Sequence, residues 1–149
     1  PTYNWIDITS IGYRIPKIAY YNYDFPTEPL DDGTAGPYVF RFNFPFFDSS
    51  YNACYVGVNG AISLIDTNLN INGYYDNIDI PGHPFRTIIA PFWNDLSIES
   101  HGDIYYYVNS RNDTAIFEWY QVGNFHSTSD TLTMKFRWTN STIIKALKS

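Results

Sequence analysis

Only three glutamates, Glu28, Glu99 and Glu118, occur in this 149-residue chain, so any carboxyl chemistry must draw on them or on its 12 aspartates. Hydrolysis of a glycosidic bond needs two carboxyls flanking the bond, one with a raised pKa. The candidates are Glu118 with Asp95 or Glu99. Glu118 stands in mid-strand between Phe117 and Trp119, on the face of Ile116 and Tyr120, where a carboxylate is expected to pair with a cross-strand Lys or Arg. No Gly-x-Ser-x-Gly elbow, Ser-His-Asp spacing or phosphate-binding loop occurs. His83, His101 and His126 fall in separate polar loops without metal-ligand spacing. Cys54 is the single cysteine, so it forms no internal disulfide, and within Ala53–Val56 it reads as a small buried hydrophobe. The expectation is a protein that is not an enzyme, with glycoside hydrolysis through Glu118 as the lesser alternative.

Two acidic clusters offer hard oxygen ligands, Asp31-Asp32-Gly33 and Asn94-Asp95, the latter joined by Glu99 or Asp103. Turns also favour Asp and Asn, whose side chains bond the local backbone. The cofactor expectation is therefore either none or a structural calcium held by Asp31, Asp32, Asn94 and Asp95. Aromatics supply the other recognition chemistry, because their rings stack on the apolar faces of sugars while adjacent Asn and Asp bond hydroxyls. Trp93, Trp119 and Trp138 lie in strands or at strand ends and read as core. Tyr21 and Tyr23, in Tyr-Tyr-Asn-Tyr-Asp, and Tyr74, Tyr75 and Asp76 lie in irregular polar segments and are the candidate ligand contacts. The second group belongs to residues 66–86, a stretch without a convincing strand and longer than loops of compact domains usually are.

The elements that must position these residues are strands. Residues 38–44 alternate Tyr38, Phe40, Phe42 and Phe44 against Val39, Arg41 and Asn43, and residues 131–138 alternate Leu132, Met134, Phe136 and Trp138 against Thr131, Thr133, Lys135 and Arg137. Residues 54–58 and 61–65 flank Asn59-Gly60, a hairpin signal expected to form a type I′ turn. Residues 103–108 and 114–122 flank a polar turn and read as a second hairpin, and 87–92 is a short strand that Pro91 must end or place at an edge. The last eleven residues are expected to add one more strand. With turn residues about every ten positions and no sustained helical period, the fold expected is all-β, a mostly antiparallel two-sheet sandwich with jelly-roll or Ig-like packing. One domain is expected to span 1–149. Beginning at Pro1 without a leader, the chain reads as a mature form or a module excised from a larger extracellular protein.

Composition excludes several classes. Aromatics reach 19% and charged residues only 16%, which is incompatible with intrinsic disorder. The net charge of −6 and pI near 4.7 provide no basic footprint for nucleic acid, and no apolar stretch approaches the roughly 20 residues of a membrane span.

Several runs together resemble one family. They are Phe42-Asn43-Phe44-Pro45-Phe46-Phe47-Asp48-Ser49-Ser50-Tyr51, Tyr55-Val56-Gly57-Val58-Asn59-Gly60-Ala61-Ile62-Ser63-Leu64, Ile88-Ile89-Ala90-Pro91-Phe92-Trp93-Asn94-Asp95-Leu96, Gly102-Asp103-Ile104-Tyr105-Tyr106 and Phe117-Glu118-Trp119. In this order they resemble the nidogen-like β-sandwich module of bacterial and archaeal secreted and cell-surface proteins. Trp5-Ile6-Asp7-Ile8 and Asp31-Asp32-Gly33 look like its opening strand and its Asp/Gly turn, while Asp48 stands where the family usually has Gly. The resemblance implies a non-catalytic extracellular or cell-surface module for adhesion or carbohydrate binding, with a carbohydrate or surface protein as partner. The alternative it implies is a structural spacer or assembly domain that meets neighbouring domains of a larger chain.

Overall fold

Alternating side chains produce two antiparallel sheets in the computed structural model of the chain, which describes residue 4, residues 6–67, residue 69 and residues 87–125, 127–139 and 143–148. One sheet runs β2 (Thr34–Phe46), β3 (Ser49–Gly57), β4 (Ile62–Ser63) and β5 (Ile88–Ile89). The other runs β1 (Tyr13–Arg14), β7 (Asp103–Val108), β8 (Thr114–Asn124), β9 (Ser127–Thr139) and β10 (Ile143–Lys148), with β6 (Leu96–Ser97) also on β8. β6 and β7 share one side of β8: β7 pairs as far as Tyr120, and β6 takes over at Gly123 and Asn124. The fold is the expected all-β sandwich.

The core lies between the sheets. Phe40, Phe44, Cys54 and Val56 meet Phe117, Trp119, Phe136 and Trp138, all buried. Trp119 also donates its indole N–H across the sandwich to the Gly57 carbonyl at 3.0 Å. Trp93 is buried in a small satellite cluster with Leu69. Cys54 is a free buried thiol pushed well up by desolvation, as its strand setting implied.

Two local features differ from the sequence reading. The Asn59-Gly60 hairpin forms, but only Gly60 takes a positive φ, at 78°, whereas a type I′ turn needs two such residues. Gly57 N–H instead bonds the Ala61 carbonyl at 2.8 Å around a three-residue loop. The cause is Asn59, whose side chain is committed to tertiary bonds described below. At Gly60 an added Cβ would lie 2.0 Å from the Phe92 carbonyl oxygen, a backbone atom that cannot swing away. Gly60→Ala is therefore expected to destabilise the fold by about 2 kcal/mol or more, left-handed strain and overlap adding together, measured as a lowered urea midpoint.

The second difference is the opening segment. Residues 6–8 do not form a strand. They cross the outer face of the larger sheet, where Ile8 is fully buried and its N–H bonds a carboxylate rather than a neighbouring strand. The final strand expected after Trp138 is present as β10, paired with β9 from Ile143↔Trp138 to Lys148↔Thr133.

Candidate functional site

The carboxylate first considered for catalysis is fully engaged. Glu118 on β8 lies opposite Lys135 on β9, Oε2 to Nζ at 3.2 Å, and both side chains are only 1% exposed. Glu118 Oε2 accepts the Ile8 N–H at 3.1 Å, and Lys135 donates to the Ile6 carbonyl. Burial pushes the Glu118 carboxyl up, while the Ile8 N–H and the Lys135 ammonium pull it back. The pair clamps the opening segment to the sheet and has no surface from which to reach a substrate.

The acidic cluster is assembled from a turn. Asp31 and Asp32 N–H groups bond the Glu28 carbonyl at 3.4 and 3.1 Å, which folds the three carboxyl groups together. One carboxylate oxygen from each of Glu28, Asp31 and Asp32 lies within 4.8 Å of the others. Gly33 closes the turn, since a Cβ there would sit 1.8 Å from the Pro29 carbonyl oxygen. Asp32 accepts Asn59 Nδ2 at 2.7 Å, and Asn59 Oδ1 accepts the Leu96 N–H at 2.8 Å, so the turn is tied to both sheets. Asp31 is pushed up to about 7, first by burial and then by the charges of Asp32, Asp95, Glu99 and Glu28.

Of the four ligands expected from sequence, Asp31 and Asp32 are together and Asp95 is buried close enough to act on Asp31. Asn94 enters this region through its backbone, donating to the Asn59 carbonyl at 3.2 Å. Glu28 was missed, although its spacing of three and four from Asp31 and Asp32 was a usable signal for one face of a turn. Asp103 is elsewhere, paired with Arg14 at 2.9 Å.

The tyrosines divide. Tyr21 is fixed by paired backbone bonds with Thr34, at 2.9 and 2.8 Å, and its hydroxyl donates to the Thr67 carbonyl at 2.6 Å. Tyr23 is exposed and leans on Tyr21, ring centroids 4.9 Å apart. Tyr74, Tyr75 and Asp76 lie outside the described residues.

A concave surface that sequence reasoning missed lies where β1 and β7 approach β2. It is a groove of about 400 Å³ lined by Ile11, Tyr13, Val39, Arg41 and Tyr106–Val108, within the range of ligand clefts. Tyr106 builds its floor: the ring stacks on Phe117 with centroids 4.9 Å apart, and the hydroxyl donates to the Val39 carbonyl. On the opposite wall β2 bulges. From Val39 to Phe44 it advances five residues while its partner β3 moves two, from Ala53 to Tyr51. Arg41 sits within that irregularity at φ 63°, exposed, in a conformation a branched or long side chain rarely adopts. Bulges of this kind re-aim side chains, and here the guanidinium-bearing residue lines the groove.

A sandwich of this topology with its N-terminal segment locked on the outer face, an Asp/Gly turn between the sheets and an open edge groove is an all-β module. The family model for NIDO-related domains matches residues 19–142, and the chain belongs to that family. No solved structure matches the chain significantly. Among the described residues no helix is long and apolar enough to cross a membrane.

Proposed function

We propose that this chain is a non-catalytic extracellular recognition module whose ligand, a carbohydrate chain, lies in the groove between β1, β7 and β2. The observation that carries this reading is Arg41, held at positive φ by an irregular β2 on the wall of a tyrosine-lined cleft. Strained backbone persists where the surroundings impose it and concentrates at binding sites. Exposed Tyr13, 57% accessible, and half-buried Tyr107 present ring surface of the kind that stacks on pyranose faces, and the guanidinium supplies a fork of donors for hydroxyls. Burial of Glu118 in an ion pair supports the absence of catalysis by that residue. Membership of the NIDO-related family supports an extracellular setting.

The experiment is retention on insoluble polysaccharides and a glycan array, comparing the unaltered chain with Tyr13→Ala and Arg41→Gly. Glycine accepts the φ of 63°, so Arg41→Gly removes the guanidinium without imposing strain. Each variant is expected to weaken binding about tenfold, the equivalent of roughly 1.4 kcal/mol, at an unchanged melting temperature. A spacer or assembly domain is the second reading, favoured by Phe47 and Ile18, 90% and 93% exposed. It predicts no retention on any glycan and contact with a neighbouring domain through those apolar tips.

A further inference from the structure

We propose that Glu28, Asp31 and Asp32 bind one calcium ion that fastens the turn between the two sheets. One carboxylate oxygen from each residue lies within 4.8 Å of the other two, so a small inward swing of the exposed Glu28 side chain brings all three within reach of one calcium ion at bonds of about 2.3–2.6 Å. An acidic cluster alone would mean little, since solvated carboxylates often gather. Here, however, Asp31 is only 7% exposed and its Oδ1 is buried with no hydrogen-bond partner. A carboxylate oxygen removed from water and left without a donor is strongly disfavoured unless a cation or proton meets it. Neither Glu28 nor Asp31 has an ion-pair partner among the described residues.

The donor set selects the ion. With no sulfur or imidazole in the group, it does not suit zinc or copper. Magnesium demands rigid octahedral geometry and holds its waters, whereas calcium accepts irregular clusters of carboxylates and takes six to eight oxygens. Glu28 is exposed, which leaves a path for entry and for waters to complete the shell. Asp95 and Glu99 add negative field to Asp31 from outside the trio.

The consequence follows from what the turn holds. Val58 N–H bonds the Gly33 carbonyl and Ile98 N–H bonds the Leu30 carbonyl, both at 2.9 Å, and Asp32 holds Asn59, which holds Leu96. An ion at the turn therefore braces the β3–β4 hairpin against β6. This inference is independent of the groove, which is lined by other residues.

The test is calorimetric titration of the EDTA-stripped chain with calcium chloride and, separately, magnesium chloride, with thermal melts alongside. One calcium per chain is expected, with a higher melting temperature in calcium than in EDTA and at least tenfold weaker binding of magnesium. Asp31→Asn is expected to abolish binding. Glu28→Gln, on the exposed ligand where folding is not at stake, is expected to weaken it about tenfold while leaving the melt in EDTA unchanged. Absence of binding heat together with identical melts in calcium and EDTA would overturn the proposal. So would equal affinity for the two ions, or calcium binding unaltered by Glu28→Gln.

Discussion

Lys135→Met is expected to lower the unfolding free energy by about 3–5 kcal/mol at neutral pH, because it leaves the Glu118 carboxylate buried with its main counter-charge removed. The double variant Glu118→Leu with Lys135→Met is expected to recover most of that loss, since two apolar side chains remove the desolvation penalty together. It would not recover the Ile8 N–H, which loses its acceptor. The deficit of Lys135→Met has a pH signature. Glu118 already has a raised pKa in the folded protein, chiefly from burial, and removing Lys135 raises it further. A raised folded-state pKa contributes stability that is full below the unfolded value and is lost as pH rises through the folded value. The variant should therefore approach the unaltered chain in acid and fall away from it toward neutrality. Among the described residues, Lys135 on β9, Asp7 on the opening segment and Tyr105 on β7 are the ionisable groups that act on Glu118 or are acted on by it. Urea unfolding between pH 4 and 8 measures the effect. A deficit that does not vary with pH would contradict it.

Trp138→Ala is expected to cost about 3–5 kcal/mol, the range for deleting a fully buried large aromatic side chain. Its ring lies 4.6 Å from Phe40, 4.7 Å from Phe136, 5.6 Å from Phe44 and 5.7 Å from Phe117, centroid to centroid, and so links the two sheets. Four aromatic neighbours held by their own strands cannot collapse into the space, so the cavity persists and the loss falls at the upper end. Trp138→Phe should recover part of the stability, because it keeps a ring and removes a buried indole N–H that has no partner among the described residues. Equilibrium denaturation of both variants distinguishes a packing role from a merely local one.

The strands were legible in the sequence because burial imposes a period of two that survives in single residues. Leu132, Met134, Phe136 and Trp138 face the core or its rim as their spacing implied. The partner of Glu118 was legible as a class, since a charged residue inside a strand needs an opposite charge across the ladder. Its burial was not, because the cover comes from Ile6 and Ile8, and Ile8 is 110 residues away. The Asn59 turn shows the same limit. Asn-Gly marks a hairpin, but the bonds of Asn59 to Asp32 and Leu96 are tertiary and override the local preference for a two-residue turn. The groove was invisible for a stronger reason. Ile11 and Tyr13, Val39 and Arg41, and Tyr106–Val108 come from three segments, and no local pattern records that they converge.

The most direct measurement is glycan retention by the folded chain, the unaltered protein run beside Arg41→Gly. Binding by the unaltered chain, reduced about tenfold by removing one guanidinium at equal thermal stability, is the expected result and would place recognition in the groove. Retention on no glycan, or retention that Arg41→Gly leaves untouched, would contradict the groove as a carbohydrate site; the former would favour a spacer that meets its neighbours through Phe47 and Ile18.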